Sequence, residues 1–226
     1  DRSVSRGLGD VYKRQSIQNQ ELEVENMEYS LISIGRQFGS GGHKVGQLIA
    51  DELRIPYYDK ELLTLAAERG ALPEQKLAKY DEKKHNNYFY ELNYRGNEHA
   101  HKGIPTAEAL FELQSDIIRK LAESGKGVFV GRCADYVLEE SDFPVLSVFI
   151  AAPLEVRIKR VMERDGVTKW VAESLIKKKD KMRKHYYETH TGQKWGDPKS
   201  YDLYFDSSKT SLTSIAQQII LELSAE

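Results

Sequence analysis

One stretch constrains this chain more than any other. A short apolar run, Leu31 to Ile34, ends at Gly35, and the glycine-rich segment Gly39-Ser40-Gly41-Gly42 follows. Val45, Leu48, Ile49 and Leu53 then recur at helical spacing and give one apolar face. A strand, a glycine turn and a helix make a unit in which backbone N–H groups converge on an anion. The N-terminus of the helix adds partial positive charge there. The plain alternative is a glycine turn that holds no ligand.

The same alternation continues along the chain. Ile55 to Tyr58 reads as a second strand, kept short or at an edge by Pro56. Val128 to Val130, Val145 to Ile150 and Tyr201 to Phe205 read as three more. Helices are expected over Lys60 to Glu68, from an N-cap at Thr106 to Gly125, over Leu154 to Arg164, over Lys169 to Lys184, and after an N-cap at Ser211. Pro73 to Gly103 is polar, Tyr-rich and weakly patterned. Five short apolar strands separated by helix-length segments predict an α/β fold, a parallel five-stranded sheet with helices on both faces. Ligands of such sheets bind beyond the carboxyl ends of the strands, where Gly35, Asp59, Gly131-Arg132, Ala151 to Pro153 and Asp206 fall.

Composition trims the possibilities. The 226 residues are 40% hydrophobic and 30% charged, a globular balance, and the net charge of -2 makes no general case for nucleic acid or an anionic membrane. Cys133 is the single cysteine, so no intrachain disulfide forms and a reducing, cytoplasmic setting is expected. No apolar run approaches the ~18 residues of a membrane span. Residues 1–26 carry no hydrophobic period, and Gly7 to Gln15 reads like translated adapter sequence; they are expected to be a disordered or non-native leader ahead of Met27 and one domain over 27–226.

Set against the phosphate-loop pattern G-x-x-x-x-G-K-[ST], with Gly41 as the second glycine, the match is partial. Arg36 stands at the first glycine, Gly42 at the lysine and His43 at the Ser/Thr. Arg36 or Lys44 could replace the missing cation, and Ser40 is a displaced substitute for the missing hydroxyl.

The segment Ser33 to Gly42 nevertheless resembles the opening motif of the cytidylate kinase-like family. The resemblance continues through Pro56 to Lys60, Gly131 to Asp135, Phe149 to Pro153 and Tyr201 to Leu203. It implies a three-layer P-loop NTPase fold with a helical lid over approximately 157–195. It also implies ATP and Mg2+ as cofactors and a nucleoside monophosphate, CMP or dCMP first, as acceptor. Gly39, Ser40, Gly41, Gly42, His43 and Lys44 would then cradle the donor phosphates. Arg132, by its likeness to the Gly-Arg of cytidylate kinases, would hold the acceptor phosphate. Asp59 would assist there, or serve only as a helix cap. Asp180 and Arg183 resemble a D-x-x-R pair that contacts phosphate and the monophosphate, and Asp135 belongs to the same motif as Arg132.

Between Arg157 and Lys184 there are eleven Lys/Arg against four Asp/Glu, a local +7. Arg157 and Arg160, three apart, can share a helix face and meet the transferred group together with Arg36 and Arg183. No metal-ligand cluster is expected, since His99 and His101 lack a clear third ligand. Competing expectations are a nucleotide-binding module that transfers nothing, a kinase of another small metabolite, and a nucleic-acid patch at Lys177 to Tyr187.

Overall fold

The computed structural model describes residues 31–59 and 107–223. The leader, the helix expected from Lys60, the segment Pro73 to Gly103 with its histidines and tyrosines, and the cap at Thr106 lie outside those residues. Strands β1 (Leu31–Arg36), β2 (Tyr57–Tyr58), β3 (Gly127–Val130), β4 (Val145–Ala151) and β5 (Leu203–Asp206) form one sheet in the order β2-β3-β1-β4-β5. Every pairing is parallel. Pro56 has its expected consequence: β2 is two residues long and lies at the edge.

The helices are α1 (Gly42–Leu53), α2 (Ala107–Ala122), α3 (Ala134–Val137), α4 (Leu154–Asp165), α5 (Lys169–Thr191) and α6 (Leu212–Glu222). Successive strand residues point to opposite faces, and both faces are apolar, as a doubly covered sheet requires. Ile32, Ile34, Val128, Val130, Val148 and Ile150 meet Val45 and Ile49 of α1 and Ile215 and Ile219 of α6. On the other face Leu31 and Phe129 meet Ile117, Ile118 and Ala122 of α2 and Ala134 and Val137 of α3. The result is three layers. Helices α4 and α5 have a core of their own, Ile158, Val161, Ala172 and Ile176, into which the loop residue Phe38 packs.

Several boundaries shift from the sequence expectation, β1 for instance running on to Arg36, and two of the shifts have a visible cause. Helix α5 runs on to Thr191 instead of stopping near Lys184, and ends where Gly192 turns at φ 67 and donates to Glu188 O. Its second half has a weak period, yet Tyr187 is buried and Tyr186 packs against Phe111 of α2. Strand β5 starts at Leu203 because Asp202 is occupied elsewhere. Its Oδ2 accepts from Ser147 N at 2.7 Å and from Ser147 Oγ at 2.6 Å. Ser211 does cap α6, its hydroxyl accepting from Ser214 N at 3.1 Å. Among the described residues no helix is long and apolar enough to cross a membrane.

Candidate active site

The chain leaves β1 at Arg36 and turns through Gln37 to Gly41 into α1. Gln37 N donates to Ile150 O at 3.1 Å, and Ala152 N donates to Gln37 Oε1 at 3.0 Å. The loop is thereby pinned to the carboxyl end of β4. Gly41 sits at φ 93 as N-cap of α1, with no side-chain cap bond. The positive φ favours glycine, and a Cβ there, 2.6 Å from Leu212 Cδ2, would also have to displace that side chain. Val45 N donates to Gly41 O at 3.0 Å. The amides of Gly42, His43 and Lys44 precede that first helical bond, so they face outward as donors at the positive end of the helix. This end suits an anion.

A magnesium ion is served less well. Ser40 is fully buried, and its hydroxyl donates to Gln37 O at 2.9 Å. At the Ser/Thr position stands His43, whose Nδ1 lies 2.7 Å from the Tyr57 hydroxyl and 2.9 Å from Asp59 Oδ2. The loop therefore offers no free side-chain oxygen of the kind Mg2+ prefers. Among the described residues no group of three or more His, Cys, Asp or Glu is gathered to hold a metal. Lys44 is exposed on the first turn of α1.

Arg36 and Gly42 are structurally one exchange. A Cβ at Gly42 would come within 2.6 Å of Arg36 Cβ, so a residue larger than glycine cannot occupy the lysine position while arginine holds the first-glycine position. The Arg36 guanidinium reaches across to β3, where a Cβ on Gly131 would sit 1.7 Å from its Nη1. Its Nη2 lies 3.6 Å from Asp59 Oδ1.

Beyond β3, three consecutive residues take left-handed backbone: Gly131 at φ 77, Arg132 at 62 and Cys133 at 55. Arginine and cysteine adopt this region at a cost of roughly 1–2 kcal/mol each. The turn presents Arg132, only 6% exposed, to a cavity of about 30 Å³ lined by Arg36, Arg132, Arg183, Tyr186, Trp195 and Tyr201 among others. That is room for roughly one water. Burial lowers the Arg132 pKa to about 10. The neighbouring charges of Arg36 and Arg183 push the same way, and Tyr186 and Asp59 offset them in part. Arg183 also donates from Nη1 to Arg36 O at 3.2 Å. Three guanidinium groups thus share one small space at the carboxyl edge.

Asp135, just behind, is half-buried and faces α5. The Tyr187 hydroxyl lies 2.7 Å from Asp135 Oδ2 and 3.0 Å from Gln193 Oε1. Burial raises the Asp135 pKa, and burial also raises those of Tyr187 and Tyr201.

Arg157, Arg160 and Asp180 gather at the opposite side of the loop. Arg157 donates from Nε to Ala152 O at 2.9 Å and from Nη1 to Phe38 O at 3.2 Å, and ion-pairs with Asp180 Oδ2. Asp180 Oδ1 accepts from Phe38 N at 2.7 Å. Arg160 donates from Nη1 to Ser40 O at 3.0 Å and from Nη2 to Ser207 O at 2.7 Å.

The structure thus brings the expected residues to one edge of the sheet but in two groups. Arg36, Asp59, Arg132 and Arg183 surround or adjoin the cavity. Arg157, Arg160 and Asp180 hold the backbone of the loop. Sequence reasoning missed Gln37, Phe38 and Ser207. Ser207 follows β5, so the carboxyl-edge rule could have found it; Ser207 Oγ donates to Ser40 O at 2.6 Å. An aromatic residue inside a glycine-rich loop was the available signal for Phe38. Two larger grooves, about 500 and 540 Å³, open near the turn between α3 and β4, away from the glycine loop, and Glu139 and Asp142 line both.

A parallel sheet between two helical layers, with a glycine-rich loop running from β1 into a helix N-terminus, defines the P-loop class of α/β proteins. The chain belongs to the cytidylate kinase-like family, which matches residues 31–209. A cytidylate kinase of Methanocaldococcus jannaschii is 32% identical over 114 residues, 48% of this chain and 64% of that protein. The chain thus spans less than two thirds of the length of this curated relative. A solved, uncharacterized protein from Eubacterium ventriosum is 31% identical and covers 87% of this chain, with 99% of its own length matched and a TM-score of 0.64. A gluconokinase of Sinorhizobium meliloti shares the fold at 20% identity and a TM-score of 0.50, over 86% of this chain and 91% of its own.

Proposed function

We propose that this chain is a phosphotransferase that moves the terminal phosphoryl group of ATP to a nucleoside monophosphate, with CMP or dCMP as first candidates. The observation that carries the reading is the placement of two anion-favouring sites at one sheet edge. The amides of Gly42, His43 and Lys44 receive the donor phosphates. The guanidinium groups of Arg36, Arg132 and Arg183 receive the acceptor phosphate once their small cavity, sized for about one water, widens. Asp59 keeps Arg36 turned toward the acceptor side through their 3.6 Å pair.

Phosphoryl transfer asks little covalent chemistry of a protein. Two phosphates must be aligned, charge must be met by cations, and water must be excluded. An acceptor that is itself a phosphate needs no strong base. Because the loop lacks a hydroxyl ligand, Mg2+ would enter bound to the nucleotide and its water. The buried thiol of Cys133, the single cysteine of the sequence, fits a cytoplasmic setting.

The test is a coupled ADP-release assay with each nucleoside monophosphate in turn, on protein shown to be folded by circular dichroism. Turnover with CMP or dCMP above the ATPase background supports the reading. No turnover with any monophosphate refutes it.

A further inference from the structure

A lid arginine that meets the transferred phosphoryl group must keep its guanidinium free to do so. Arg157 is 7% exposed and divides its donors among Ala152 O, Phe38 O and Asp180. Asp180 uses one carboxylate oxygen on Arg157 and the other on Phe38 N. The Phe38 peptide is therefore bonded on both sides, its N–H by Asp180 and the following carbonyl by Arg157. Its ring is held as well. It packs on the core of α4 and α5, with Arg164 Cζ 5.0 Å and Arg183 Cζ 5.7 Å from its centroid. Two residues on, Arg160 and Ser207 both donate to Ser40 O.

We propose that Asp180 and Arg157 are positioning residues for the donor site. They form a latch that fixes the Phe38–Gly39 part of the glycine loop from the side of α5, and neither touches the acceptor. The physical reason lies in the loop's own composition. With glycines at 39, 41 and 42 the backbone has many accessible conformations, and a converged set of amides must be imposed from outside. A carboxylate accepting a backbone N–H, itself charge-paired with a guanidinium, is among the stronger ways to impose it. It follows that α5 and the loop move as one body. The donor cradle is complete only while α5 is docked.

This inference rests on reading the loop as the donor site, so its test separates the two. The full chain, Asp180→Ala, Asp180→Asn and Arg157→Lys are compared by calorimetry with a non-hydrolysable ATP analogue, and separately with CMP. Hydrogen exchange at the Phe38 amide is followed in the nucleotide-free proteins. Asp180→Ala is expected to weaken the ATP analogue at least about tenfold and to leave CMP affinity within about twofold. Protection of the Phe38 amide should fall with it. Asp180→Asn keeps an acceptor for Phe38 N but loses the charge, so its effect should be intermediate. Weakened CMP binding with unchanged ATP binding would assign Asp180 to the acceptor and overturn the latch. Unchanged Phe38 protection in Asp180→Ala would overturn it as well. If that variant does not fold, Asp180→Asn and Arg157→Lys decide by the same readouts. If the unsubstituted chain binds no ATP, the donor reading fails, and the Phe38 exchange rate still judges the latch.

Discussion

Arg132 is held at a cost, and replacing it should stabilise the protein while removing acceptor binding. The residue is only 6% exposed, beside two other guanidinium groups, on a backbone at φ 62. The fall of its pKa to about 10 corresponds to ~3 kcal/mol of unfavourable free energy for the charged form, at 1.36 kcal/mol per pKa unit. The sign follows from linkage. Below pH 10 the group is charged in both the folded and the unfolded chain, so the penalty is fully present. It is relieved only as pH climbs past 10.

Arg132→Met keeps much of the volume, removes the charge and retains the backbone strain. After about 1–2 kcal/mol is lost with imperfect packing, a net gain of ~1–2 kcal/mol remains. For a chain of this size that raises Tm by about 2–8 °C, and the rise should be constant between pH 6 and 9. Scanning calorimetry with and without inorganic phosphate or CMP is the assay. Ligand at a hundred times its Kd should stabilise the unsubstituted protein by ~2.7 kcal/mol and should do far less for the variant. A lower Tm for Arg132→Met would mean that Asp59 and Tyr186 more than compensate the charge. Equal stabilisation of both proteins by phosphate would place the anion elsewhere. Either result refutes the reasoning.

Two further substitutions probe the loop and the region behind it. Gly42→Lys restores the usual phosphate-loop lysine in name only. Its Cβ would come within 2.6 Å of Arg36 Cβ, so thermal denaturation should show a loss of about 1–3 kcal/mol, with no gain in ATP affinity by titration. Asp135→Asn removes a carboxyl group whose pKa burial raises. As pH rises from acid, the unfolded chain loses that proton before the folded chain does, so this group lowers stability through the interval. Urea denaturation at pH 4 and pH 7 should show the variant losing less stability over that interval than the unsubstituted protein.

Much of the fold was legible because its signals are local. Each strand is a short apolar run, and most of the helices repeat apolar residues at i, i+3 and i+4. Pro56 announced a short edge strand. Ser211 announced a cap. The end of α5 was not legible, because what extends it is a set of contacts from Tyr186 and Tyr187 to residues more than fifty positions away. The start of β5 was lost for a similar reason, since Asp202 is drawn to Ser147 across the sheet.

The candidate site divides along the same line. That glycines, arginines and acids meet at the carboxyl ends of parallel strands follows from the order of elements along the chain, which dictates the residues that stand there. The sequence also displayed the anomaly of the loop, with Arg36, Gly42 and His43 where another pattern was expected. What each cation faces is visible only in the folded chain. Arg36 turns away from α1 to Gly131 and Asp59, and Gly42 is small because Arg36 Cβ lies against it. Arg157 and Arg160, three residues apart on one face, end on backbone carbonyls of the loop. A charge in sequence shows only that a partner is needed. Which partner meets it depends on ångström-scale approaches between segments far apart in the chain, and packing of the whole sheet and its helices sets those.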